Sequence, residues 1–180
     1  MSILYPFTGT YRVSSGYGDR TAPTDGASTD HKGIDFSVPI NTDIISSTAG
    51  RVAEVGYNSS RGNYVVINND SGISSVYQHL NSVLAKQGDV VRQGQVIAKS
   101  GNTGTTTGPH LHYELKIDGQ NVDPLLYLQT YDQINGGDVG TAAGGFRIPE
   151  LDSVTAAVKK YWYLIAAGLL AVGLIDKIKR

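Results

Sequence analysis

The chain has 180 residues, which allows one domain of usual size with an appendage. Its 15 Lys+Arg against 16 Asp+Glu give a formal net charge of −1, so no cationic excess exists to neutralise a phosphate backbone, and nucleic acid is not an expected partner. The absence of cysteine removes disulfides, thiol nucleophiles and thiolate-bound metals, and leaves His, Asp and Glu as ligands for a transition metal.

Twenty-two glycines and eleven tyrosines suggest a turn-rich β protein. The first twenty residues lack the basic start, apolar core and small-residue cleavage site of a secretory signal, so export is expected to use another route. Next comes HKGID, residues 31–35, where Gly33 disfavours a helical turn and the segment reads as a loop entering a strand. From Gly50 onward, short β-prone segments alternate with turn signals: RVAEVGY, NYVVINN and ISSVYQHL, with Asn69-Asp70-Ser71-Gly72 reading as a hairpin loop between the last two. GDVVRQGQVIAKSG and HLHYELKIDG continue the pattern and close on turns such as Asp118-Gly119. A short helix is expected after Pro124, in LLYLQTY.

The organisation expected is a domain over 1–134, a flexible linker over 135–145 and a C-terminal helix within 146–180. The linker has five glycines in eleven positions. The helix contains an apolar run, 161–175, whose fifteen uncharged residues reach about 22 Å, short of a hydrocarbon core of about 30 Å. Flanking lysines and the Tyr-Trp-Tyr cluster allow a helix over 154–179 to span a membrane by snorkelling. A helix buried in an oligomer, or lying on another protein, is the alternative.

All four histidines fall in the β domain: His31, His79, His110 and His112. Side chains alternate faces along a strand, so His110, His112 and Glu114 share one row. One histidine and one carboxylate from HKGID, with one histidine from that strand, make a two-nitrogen, one-oxygen tripod for zinc. Three protein ligands with one open position is the catalytic arrangement, whereas structural zinc is closed by four. The remaining imidazoles can then take a proton from activated water and return it to a leaving amine.

SGYGDR, HKGID, YQHL and GNTGTTTGPHLHYEL, in that order, closely resemble the M23 family of zinc metallopeptidases, the lysostaphin-like peptidoglycan endopeptidases, over residues 5–128. The resemblance implies a mostly β fold, an antiparallel sheet with barrel-sandwich strands of the duplicated hybrid motif type. It implies one zinc per chain on His31, Asp35 and His112, with His79 and His110 as the catalytic pair. Some relatives have lost these ligands and act only as activators or scaffolds, and here every position is filled. GDVVRQGQVIAKSG also resembles the hairpin of biotinyl carrier domains, with Lys99 as the modified residue, but that reading leaves the histidines unexplained. Arg20 is a candidate for binding a substrate carboxylate or the oxyanion. Glu114 is a candidate for orienting one of the imidazoles, and Tyr77 for lining the site.

The resemblance implies peptide cross-links of peptidoglycan as substrate, since family relatives cut either glycine bridges or the direct cross-link between stem peptides, and the direct Gram-negative kind is the one favoured. The location expected is the virion membrane of a bacteriophage, anchored by the C-terminal helix beside other virion proteins. The alternative is a bacterial inner membrane, with the enzyme facing the periplasm. A non-hydrolytic structural or regulatory member of the same fold is the reading from a different class. Because metal binding needs neutral imidazoles, activity is expected to fall below about pH 6.

Overall fold

In the computed structural model, residues 3–24 and 28–129 are described. They form short and long strands in chain order: β1 (Ile3–Leu4), β2 (Arg12–Ser15), β3 (Gly18–Asp19), β4 (Asp30–His31), β5 (Ile34–Ser37), β6 (Asp43–Ile45) and β7 (Gly50–Asn58). There follow β8 (Gly62–Asn68), β9 (Ile73–Val83), β10 (Val90–Val91), β11 (Val96–Ser100), β12 (Leu111–Ile117), β13 (Gln120–Val122) and β14 (Leu128–Gln129). The main sheet runs β10-β7-β8-β9-β12-β5-β2, with every neighbouring pair antiparallel. The expected hairpin joins β8 to β9, where Asn69 Oδ1 accepts from the N–H groups of Ser71 and Ile73 and Gly72 supplies a φ of 75°.

Strand alternation separates two faces. On β12, Leu111, Tyr113 and Leu115 are fully buried, while His112 and Glu114 take the other side. Cross-strand register extends this to rows. Ile34, Tyr113 and Tyr77 lie side by side on β5, β12 and β9 and enter the core, and Asp35, His112 and Gln78 form the adjacent row. The core row packs with Phe36, Ile44, Val65, Ile67, Leu80 and Ile97, and an aromatic cluster of Tyr5, Phe7, Tyr11 and Phe36 adds tilted and edge-on contacts at centroid distances of 4.6 to 6.0 Å. Gly33 is required where β5 meets β12, because a β-carbon there would collide with the Tyr113 carbonyl.

The pairing of β8 with β9 is interrupted once. Between Tyr77 and Leu80, β9 advances three residues while its partner β8 advances two, from Asn63 to Val65, so β9 carries one extra residue. Beyond that bulge β9 also pairs with β11.

The described residues contain no α-helix and no helix long and apolar enough to cross a membrane, so the described fold is mostly β and includes no C-terminal helix. The segments 135–145 and 146–180 lie outside the described residues. The helix expected after Pro124 reduces to one 3-10 turn, Pro124–Leu126, capped by Asp123 Oδ1 accepting from Leu125 N–H at 3.0 Å. Strand pairing overrides helix propensity here: Leu128 buries against the core and β14 adds to β1 in parallel. Lys99 is held within β11 by an ion pair with Asp43 at 2.5 Å, unlike a carrier lysine presented on a hairpin tip.

Candidate metal centre

His31 ends β4, Asp35 lies in β5 and His112 lies opposite Asp35 on β12. Their donor atoms form a small triangle: His31 Nε2 to Asp35 Oδ1 is 3.2 Å, His31 Nε2 to His112 Nδ1 is 3.0 Å, and His112 Nδ1 to Asp35 Oδ1 is 2.9 Å. Among the described residues this is the group that could hold a metal ion. Tetrahedral zinc with ligands at about 2.0–2.1 Å has neighbouring donors about 3.3 Å apart, close to these spacings.

The outer contacts decide which nitrogens face inward. His31 Nδ1–H donates to the Gly16 carbonyl at 2.6 Å, leaving Nε2 with a lone pair. His112 Nε2–H donates to Glu114 Oε1 at 3.2 Å, leaving Nδ1 with a lone pair. Two imidazole lone pairs and a carboxylate oxygen therefore point at one another, an arrangement that a shared cation satisfies, and the mixed nitrogen and oxygen set suits zinc. Three ligands leave a fourth position for substrate or water.

Carboxylates tighten this frame. Asp35 Oδ2 accepts from Arg20 Nη1 at 2.9 Å, and the same Nη1 donates to Ser15 Oγ at 2.6 Å while Arg20 Nε donates to the Ser28 carbonyl. Arg20, expected to meet substrate directly, holds the Asp35 carboxylate through Nη1 and also borders the depressions beside the triangle.

Glu114 is held in turn by Gln78 Nε2 at 2.7 Å and Asn121 Nδ2 at 3.1 Å. Sequence reasoning misses both Gln78 and Asn121. A signal for Gln78 exists, because it sits one residue before His79 and alternation with a β9–β12 pairing places it beside His112. Asn121 depends on the register of the β12–β13 hairpin, which short-range patterns do not specify.

Burial alone would raise the Asp35 pKa, but hydrogen bonds from His112 and His31 outweigh it and hold the carboxyl well below the usual carboxylate range. Burial opposes the charged form of His112, yet Asp35 and Glu114 together move its pKa above the ordinary histidine value. For Glu114 burial is again the largest single influence and acts upward, and the contacts with His112, Asn121 and Lys116 reverse it to give a lowered pKa.

His79 and His110 stand beside the triangle with ring centroids 4.6 Å apart. His79 occupies the bulge with φ of 61°, a left-handed conformation costing about 1–3 kcal/mol for a residue with a β-carbon. Strict alternation would send its ring to the same side as Tyr77; the extra residue brings Gln78 and His79 both to the groove. Each ring is fixed at Nδ1, with His79 donating to the Thr103 carbonyl and His110 to the Gly108 carbonyl, both at 2.8 Å. Their Nε2 atoms are thereby left as acceptors, and His110 Nε2 lies 3.8 Å from Asp35 Oδ1. Burial, followed by the neighbouring His110, pushes the His79 pKa down to about 4, so the ring is neutral at physiological pH.

Tyr77 is not part of this constellation. It is 0% exposed, stacks edge-on against Tyr113 at 5.3 Å, and its hydroxyl accepts from Ser47 N–H at 2.8 Å and donates to Ser75 Oγ. The expectation that it lines the site is corrected by the pleat: it belongs to the core row.

Two depressions adjoin the triangle, of about 360 and 440 Å³, and both are lined by Arg20, His79, Thr105 and His112. The first is rich in hydroxyls from Ser14, Ser15, Thr106 and Thr107. The second carries Lys32, Arg61, Gln78, Glu114 and Lys116.

Comparison with known proteins gives the arrangement a context. Residues 29–124, more than half of the chain, match the model described as peptidase family M23. The chain belongs to peptidase family M23. An uncharacterized metalloprotease of Haemophilus influenzae is 44% identical over 123 residues, 67% of this chain and 26% of that protein. The peptidoglycan DD-endopeptidase ShyA of Vibrio cholerae is 40% identical over 122 residues, 67% of this chain and 28% of ShyA. The chain thus spans about a quarter of the length of these relatives. A solved structure described as a zinc containing peptidase from Vibrio cholerae superposes with a TM-score of 0.63 at 37% identity, covering 68% of this chain and 39% of that one. Zinc is therefore the cofactor that both the M23 family and the donor set point to.

Proposed function

We propose that this protein is a zinc-dependent endopeptidase that cleaves the peptide cross-links of bacterial peptidoglycan. The observation that carries the reading is the convergence of two imidazole lone pairs and one carboxylate oxygen beside a second pair of imidazoles with free Nε2 atoms, where the two depressions adjoin. His31 Nε2, Asp35 Oδ1 and His112 Nδ1 would hold the metal. Zinc, when bound there, supplies Lewis acidity that polarises a carbonyl and makes water nucleophilic at neutral pH.

The protein's own groups do the rest. His79 and His110 share the proton transfers: one takes up the proton of the attacking water at Nε2, the Nε2–H so formed donates a hydrogen bond to the oxyanion that develops on the substrate, and that proton then passes to the leaving amine. The carbonyls of Thr103 and Gly108 fix both rings in the tautomer that this requires. The groove lies alongside the 102–108 loop, where Thr105 N–H donates to the Ser60 carbonyl at 3.0 Å and Thr105 Oγ1 donates to that of Ser59 at 3.2 Å. That bracing gives an extended peptide a rigid wall to lie against.

The description of ShyA as a DD-endopeptidase supports the direct cross-link between stem peptides as the bond cut. A location where the enzyme meets the wall follows from that substrate. We favour delivery in a bacteriophage particle, in contact with its membrane and virion proteins, over residence at a bacterial inner membrane facing the periplasm; the feature supporting membrane contact is the apolar sequence run 161–175. Detection of the protein in purified particles by immunoblot tests this location, and its recovery only from uninfected cells would refute it.

The activity is tested by incubating the full chain with purified peptidoglycan, with and without a chelator, and separating the released muropeptides. Loss of cross-linked dimers that stops on chelation and resumes with added zinc is expected. Intact dimers in the presence of stoichiometric zinc would overturn the peptidase reading in favour of a non-hydrolytic member of the fold.

A further inference from the structure

The two depressions beside the triangle differ in charge. In the first, Arg20 and Asp35 are the charged groups, paired with each other at 2.9 Å, and the remaining polar lining apart from the histidines is mostly Ser and Thr hydroxyls. In the second, four cations line the wall: Arg20, Lys32, Arg61 and Lys116. Three of them have carboxylates: Arg20 has Asp35, Lys32 has Asp30 at 2.5 Å, and Lys116 has Glu114 at 3.8 Å. Among the described residues, Arg61 makes no ion pair; its guanidinium instead lies 3.6 Å over the Tyr64 ring. Stacking holds a guanidinium by its face and leaves the N–H edges available for a planar anion.

The backbone of Arg61 is fixed independently of its side chain. Asn58 Oδ1 accepts from Arg61 N–H at 2.8 Å, and the Arg61 carbonyl accepts from His79 N–H at 2.9 Å. The guanidinium is thus carried on the residue bonded to the backbone of His79, and both side chains border the same depression. In a direct cross-link, the amine side of the scissile amide comes from a diamino acid whose carbon next to the amide nitrogen bears a free carboxylate. Glycine bridges have no such group beside an internal peptide bond.

We propose that Arg61 is a specificity-determining residue, binding the free carboxylate beside the scissile amide and so selecting cross-links that carry one over neutral bridges. This rests on the peptidase reading above. Arg61 takes no part in the chemistry: it fixes the register of the substrate, while His79 and His110 act on the bond.

The test uses the full zinc-loaded chain and two synthetic cross-linked peptide dimers that differ only in having a carboxylate or a carboxamide at that carbon. The unaltered protein is expected to favour the carboxylate dimer about tenfold in kcat/KM, chiefly through KM, the scale of one charge-assisted hydrogen-bonded pair. Arg61→Gln should raise KM for the carboxylate dimer about tenfold with kcat unchanged and leave the carboxamide dimer unaffected. Arg61→Lys should keep part of the preference. Equal losses on both dimers, or an undiminished preference in Arg61→Gln, would overturn the proposal while leaving the peptidase reading intact. Failure of the unaltered protein to cut either dimer would overturn both.

Discussion

The two pairs of histidines are built on different kinds of backbone. His112 sits in regular antiparallel register with Asp35 and Gln78, and His31 is reached by a short pairing of β3 with β4, so the triangle is an outcome of ordinary pleating. His79 and His110 stand on irregular backbone: one in a bulge at positive φ, the other on an isolated bridge to Gly101. The nitrogens of the first pair are engaged on both sides, with each other and Asp35 within and with Gly16 or Glu114 outside. The second pair is tied at Nδ1 only and offers Nε2 to the groove. Holding a cation calls for saturated, rigid ligands; moving a proton calls for a free nitrogen on a neutral ring.

Removing a ligand from the first pair should break this contrast most severely. His31→Ala or Asp35→Ala is expected to abolish zinc retention, measured as metal per chain after dialysis, and to lower peptidoglycan hydrolysis by on the order of a thousandfold or more. His79→Ala or His110→Ala should instead retain one zinc per chain while kcat falls by about 10²–10⁴-fold. If the His79 variant lost zinc as readily as the His31 variant, the division between the pairs would be wrong.

Substitutions behind the ligands sharpen the comparison. Arg20→Ala frees Asp35 Oδ2, and Glu114→Gln weakens the support of His112 Nε2; each is expected to weaken zinc binding by about 10–100-fold in a competitive chelator titration. Zinc affinity should also depend on pH in a set direction. His112 in the metal-free chain has a raised pKa, so its proton is bound below that value and must be displaced by metal; affinity should fall as pH falls, by up to about tenfold per unit. The contacts of protonated His112 with its carboxylates stabilise the metal-free fold below the ordinary histidine pKa, and that contribution is lost as pH rises through the raised value. His79, with its pKa near 4, should leave the neutral range without a titration step of its own. The smallest effect on activity is expected for Tyr77→Phe. It leaves Ser47 N–H without its acceptor and should lower stability by about 1–3 kcal/mol in denaturant unfolding, with KM and kcat for the zinc-loaded protein unchanged.

How much is legible in the sequence follows the same division. The row of His110, His112 and Glu114 can be read because a period of two needs only the strand assignment, and the hairpin at Asn69–Gly72 because turn chemistry is local. The helix expected after Pro124 does not form because the pairing of Leu128 with Ile3 joins residues far apart in the chain, which propensity does not register. Tyr77 is misplaced for want of register. A strand shows that neighbours alternate, but only its partner shows which face is buried.

By itself, then, the sequence determined the β class, the residue types able to bind a metal and the resemblance that grouped them. Tertiary structure decided that Asp35, His112 and Gln78 share a row, that Arg20 pairs with Asp35, and that a one-residue bulge turns His79 toward the groove. Those facts depend on pairing between distant strands and on hydrogen bonds closed across them. Such contacts carry no local signature, because their energy exists only once the chain has brought both partners together.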